Sequence, residues 1–117
     1  MNNRLKDENL DELFDAILTL ENKEECYSFF RDLCTVPELK TLSQRFHVAK
    51  MLVDKRVYSD IVEETGASTA TISRVNRSLS EDYDSCGGYI LVFNRLEGKK
   101  WAITAILQDF MISLLQT

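Results

Sequence analysis

A chain of 117 residues is the size of one domain, large enough to bury a core yet small enough that a partner chain often completes it. With 44% apolar and 28% charged residues, a single Pro and four Gly, its composition excludes a disordered or fibrous chain and leaves little turn chemistry for a many-stranded sheet. The net charge of −5 argues against a uniformly basic nucleic-acid binder, but residues 1–34, 35–80 and 81–117 carry −5, +2 and −2, so only the middle third is basic.

The stretch Met1 to Glu8 has no apolar run after its basic residues, unlike a secretory leader, and cytoplasmic residence is expected. Leu10, Leu13, Phe14, Ile17 and Leu18 then recur at helical spacing with Asp11, Glu12 and Asp15 outside the stripe, which predicts a first helix. A second stripe holds Cys26, Tyr27, Phe29, Phe30 and Leu33, and rings of that size are expected in the core. Thr35-Val36-Pro37-Glu38 has capping-box spacing and starts a third helix, with Leu39, Leu42, Phe46, Ala49 and Val53 as its apolar face and Asp54-Lys55-Arg56 closing it.

Val57 to Leu79 reads as two short helices divided at Gly66. Ser80 to Gly88 is polar and Gly-containing, a loop; Tyr89 to Leu96 is too short an apolar run to assign by period; and Gly98 precedes a greasy final helix over Trp101–Leu115. That helix carries Asp109 and is short for a bilayer, which points to a buried or dimer-forming element and no membrane partner. Cys26, Cys34 and Cys86 lack C-x-x-C pairing, so no metal site is expected, and two cysteines eight residues apart on a helix are separated by roughly 12 Å, too far for a disulfide.

Function concentrates between Val57 and Leu79. Ile61, Gly66, Ile72 and Val75 have the spacing of a helix-turn-helix, with Gly66 at the turn where a left-handed backbone is cheap only for glycine. Ile72, Val75 and Leu79 face inward at i, i+3 and i+7, which leaves Thr69, Ala70, Ser73, Arg74 and Arg77 outward. Short polar side chains let a backbone approach base edges in the major groove, arginine bonds guanine or phosphate, and Ser68 as N-cap offers a positive helix end to phosphate. The segment Thr69–Leu79 contains no acid, whereas Glu63 and Glu64 sit on the helix before it. The competing reading of spacing alone is an ordinary helical hairpin with a solvated second helix.

Leu42-Ser43-Gln44-Arg45, the run Thr65-Gly66-Ala67-Ser68-Thr69-Ala70-Thr71-Ile72-Ser73-Arg74 and Ser78-Leu79 resemble the Trp-repressor superfamily. Glu24-Glu25-Cys26-Tyr27, Leu33-Cys34-Thr35 and Gly87-Gly88-Tyr89 resemble its small YerC/YecD branch, so the likeness spans about residues 8 to 96. The resemblance implies an all-α, Trp-repressor-like domain of two intertwined copies, a homodimer whose amino-terminal helices interlock and whose recognition helices address double-stranded DNA as a repressor. It also places Thr69, Ala70, Thr71 and Ser73 near DNA and Arg74 at the base of the recognition helix.

For an effector, the resemblance matches Arg45 and Arg74 to the two arginines that hold the carboxylate of tryptophan, and Thr35 to a nearby threonine; Ser78 is counted with them. Val75 stands where the family has the glycine that makes room for the indole, and a branched side chain there fills that room, so tryptophan is not expected as corepressor. Arg45 and Arg74 have an alternative role, pairing with acids such as Glu63 or with phosphate, and a small anionic corepressor other than tryptophan stays open. His47 reads as a partly buried polar contact. No nucleophile–base set, phosphate loop or metal-ligand spacing points to an enzyme or a cofactor, and Gly87-Gly88 is too little to suggest one. The rival to a DNA reader is a protein-interaction module, in which the acidic first helix and the greasy tail from Glu97 to Thr117 bind a partner helix while the helix-turn-helix is vestigial.

Overall fold

The computed structural model describes residues 7–80 and 86–116, with residues 101–104 as backbone only. Every regular element among them is helical: α1 (Glu8–Ile17), α2 (Lys23–Leu33), α3 (Val36–Val53), α4 (Tyr58–Thr65), α5 (Thr69–Leu79) and α6 (Gly88–Leu115). The chain forms two compact units, Met1–Ile72 and Ser73–Thr117, with α5 beginning in the first and ending in the second.

Local chemistry starts each helix of the first unit. Asp7 accepts from the Leu10 amide at 2.6 Å and caps α1. Asn22 accepts from the Glu25 amide at 2.9 Å while the Glu25 carboxylate accepts from the Glu21 amide at 2.9 Å. The predicted box at α3 is complete, with the Glu38 amide donating to Thr35 Oγ1 at 3.3 Å and the Thr35 amide donating to Glu38 Oε1 at 2.8 Å. The bond from the Thr35 backbone, and then that from its hydroxyl, hold the Glu38 carboxyl below the usual carboxylate range.

At its other end α3 closes at Asp54 to Arg56, as its sequence predicts. The Lys55 amide donates to Leu52 O and the Arg56 amide to Met51 O, both at 3.0 Å, the paired bonds of a Schellman motif. Lys55 holds the left-handed position of that motif, at φ 64°, where glycine is usual.

The core lies in the stretch from α3 to α5. Val48, Ala49 and Met51 of α3, Ile61 of α4, Ala67 of the turn, and Ile72 and Val75 of α5 are buried. The face predicted for α3 is therefore only partly right. Ala49 is buried and Leu39 half-buried, but Leu42, Phe46 and Val53 are exposed. α3 packs against both α2 and α4, so it carries apolar residues on more than one side, and a single periodic stripe misses part of what it buries.

Nor do the first two helices bury their stripes. No residue of α1 or α2 is buried; Phe29 and Phe30 are half-buried and meet edge to face, with centroids 5.6 Å apart, while Tyr27 is exposed. One neighbouring helix covers only part of another's circumference, so aromatics on two sides of α2 cannot all be enclosed within one copy. His47, expected to be partly buried, is exposed, in an open groove that it lines with Gln44 of α3 and Glu64 and Thr65 of α4.

α6 differs most from its prediction. In place of an unassigned run, Gly98 and a helix from Trp101, one helix of 28 residues runs from Gly88 to Leu115. Glycine inside a helix costs only about 0.5–1 kcal/mol relative to alanine, too little to break a helix with good formers on both sides. Of the predicted loop from Ser80 to Gly88, residues 81–85 lie outside the described residues and Gly88 already belongs to α6. The three cysteines are free thiols. Among the described residues, no helix is long and apolar enough to cross a membrane, and no three His, Cys, Asp or Glu side chains gather.

Candidate nucleic-acid interface

The turn between α4 and α5 is built from side-chain hydrogen bonds and one left-handed residue. Gly66 ends α4 at φ 71°, ψ 6°, its amide donating to Val62 O at 2.9 Å. The Thr65 hydroxyl donates to Ile61 O at 2.6 Å and accepts from the Ala67 amide at 3.1 Å, so it satisfies the backbone on both sides of Gly66. Gln44 of α3 donates to Thr65 O at 3.1 Å and ties the turn to the preceding helix. Sequence reasoning missed the roles of Thr65 and Gln44. The first is legible as a threonine one residue before a helix-ending glycine; the second spans 21 residues and leaves no local signal.

Ser68 caps α5 as predicted, its Oγ accepting from the Thr71 amide at 3.1 Å and donating to Thr71 Oγ1 at 3.0 Å. The hydroxyl of Thr71 is thereby engaged and the residue half-buried. Thr69, Ala70, Ser73, Arg74 and Arg77 are exposed, while Ile72 and Val75 are 0% and 4% exposed and Leu79 is half-buried. Helical period thus splits α5 as expected, with branched apolar residues inward and small or basic residues outward.

The outward face carries no acid, and Arg74 and Arg77 form no ion pair among the described residues. On α4, Asp60 and Glu64 sit 3.9 and 3.8 Å from the guanidinium of Arg56. These exposed pairs add little stability, but they neutralise two of the acids of α4.

The residues matched to an effector site are differently placed. Thr35 has its hydroxyl on Glu38 at 2.8 Å, within the cap of α3. Arg45 is exposed on α3 and Arg74 on α5, and neither pairs with Glu63. Ser78 donates to Arg74 O at 3.4 Å along its own helix. Val75 is buried.

A family model described as Trp repressor protein matches residues 8–95. The uncharacterized protein YerC of Bacillus subtilis (strain 168) is 52% identical over 82 residues, which make up 70% of this chain and 79% of that protein. A solved structure of a TrpR-like protein from Eubacterium eligens is 56% identical, superposes with a TM-score of 0.76, and covers 82% of this chain and 96% of its own. A further solved structure, from Staphylococcus aureus, is 54% identical, covers 83% and 95% of the two chains and has the same TM-score of 0.76.

Proposed function

Because the chain belongs to the Trp repressor family, we propose that it is a cytoplasmic, sequence-specific transcription regulator that reads double-stranded DNA as a homodimer and acts as a repressor. The observation that carries this reading is the outward face of α5, which is acid-free, capped at Ser68 and lined by Thr69, Ala70, Ser73, Arg74 and Arg77 above buried Ile72 and Val75.

Small side chains at Thr69, Ala70 and Ser73 let the helix enter the major groove until its backbone nears the base edges. Arg77 and Arg74 supply charge for guanine or phosphate, and the first amides of α5 point toward the DNA backbone. Thr71 contributes by holding the cap as well as by lying beside the groove. The exposed apolar residues of α1 and α2, among them Phe14 and Tyr27, are the surface that two intertwined copies would bury.

Tryptophan is not the corepressor in this reading. Val75 is β-branched and buried at the position matching the glycine that admits the indole. Calorimetry with tryptophan is expected to show no binding at micromolar concentrations, and a saturable isotherm there would overturn this point.

The test of the main reading is binding of the purified full chain to a fluorescent pool of genomic fragments across a salt series. A steep loss of affinity with salt and enrichment of a two-fold-symmetric site are expected. Arg77→Ala should weaken binding by about 1–3 kcal/mol, roughly fivefold to 150-fold, without lowering Tm. Binding that ignores salt and the substitution would refute it.

A further inference from the structure

We propose that the distal part of α6, residues 97–115, pairs with the same segment of a second copy of this chain as a helical seam. The family match ends at residue 95, yet α6 continues unbroken to Leu115, so this stretch is an addition that the shared fold does not explain. The inference goes beyond the DNA reading, which would stand without it.

Tyr89, Phe93, Leu96, Lys100, Ile103, Leu107, Phe110 and Leu114 follow one another at alternating spacings of four and three. That is a heptad seam carried through one helix, apolar at every position except Lys100. A straight helix drifts about 20° per heptad against such a repeat, hence roughly 70° from Tyr89 to Leu114. A fixed groove on a globular partner would lose contact with the stripe over that length. A second helix that supercoils with the first does not, because both helices bend to keep the seam closed.

The chemistry of the seam selects another copy. Two helices with the same repeat are mutually complementary without any further matching, and a single polar residue such as Lys100 is the device that fixes register between like strands. In the distal half, Leu107 and Phe110 of the seam are 57% and 61% exposed, and the flanking Ile106 and Met111, also exposed, widen the apolar face. Asp109, Ser113 and Gln116 lie on the other side of the helix, beside the exposed Ile112.

The test uses the full chain with Cys26, Cys34 and Cys86 replaced by serine, adding Leu107→Cys in one variant and Asp109→Cys in another. Helical content by circular dichroism confirms that each folds. With a short bismaleimide linker, Leu107→Cys is expected to give covalent dimer at least tenfold faster than Asp109→Cys, which lies about 200° round the helix. Phe110→Asp, in sedimentation velocity, should raise the dissociation constant for self-association at least tenfold while salt-dependent DNA binding persists. Equal crosslinking at both positions, or a Leu107→Cys chain that stays uncrosslinked while co-sedimenting with anionic lipid vesicles, would overturn the proposal.

Discussion

The stretch from α3 to α5 and the helices that flank it solve the same problem differently. Between Val48 and Val75 the chain buries branched and small apolar residues within one copy and leaves a polar, basic face outward. α1 and α2 enclose none of theirs, and α6 leaves Leu107, Phe110 and Met111 in water. Under the proposed function, α5 must hold its shape before it meets DNA, and an internal core provides that. Helices whose apolar faces outnumber their neighbours are open to completion from outside, and a second copy is the completion we propose.

Substitution can break this contrast at either end. Ile61→Ala, wholly buried on α4, should lose about 2–5 kcal/mol in denaturant unfolding. Phe14→Ala sharpens the comparison. In a lone chain such an exposed residue is worth within about 0.5 kcal/mol, whereas burial by a partner raises the cost to about 1.5–3 kcal/mol and makes Tm rise with protein concentration. A concentration-independent Tm would remove the case for interlocked α1 helices.

Gly66→Ala tests the turn alone. No atom lies within 4 Å of an added Cβ, so the cost is the left-handed backbone itself, about 1–2 kcal/mol, with weaker DNA binding to follow. The smallest effects belong to the cap of α3, where Thr35→Ala should cost about 1 kcal/mol. The Glu38 carboxyl is held low by its Thr35 bonds, so its contribution is full above the unfolded carboxylate pKa and fades as pH falls through the folded value. Acid titration of Glu38→Gln should accordingly show a shallower loss of stability than the natural chain.

How far each feature was legible follows from how local its causes are. The box at Thr35 and Glu38, the cap at Ser68, the left-handed Gly66 and the inward row Ile72 and Val75 each depend on residues within four or so of one another, and the structure has them as expected. Asp7 and Asn22 are equally local as caps, three residues before Leu10 and Glu25. Gln44 reaching Thr65, and the exposure of Leu42, Phe46 and His47, depend on where α4 lies beside α3, which no window along the chain contains.

Sequence by itself therefore determined the helices of the first unit, their caps, the turn at Gly66, the polar face of α5 and the family, because hydrogen bonds and periodicity over three or four residues are local properties. Tertiary structure alone decided which apolar stripes are enclosed, and that α1, α2 and the end of α6 stand open. Burial is a property of neighbours, and a helix carries no record of how many it has.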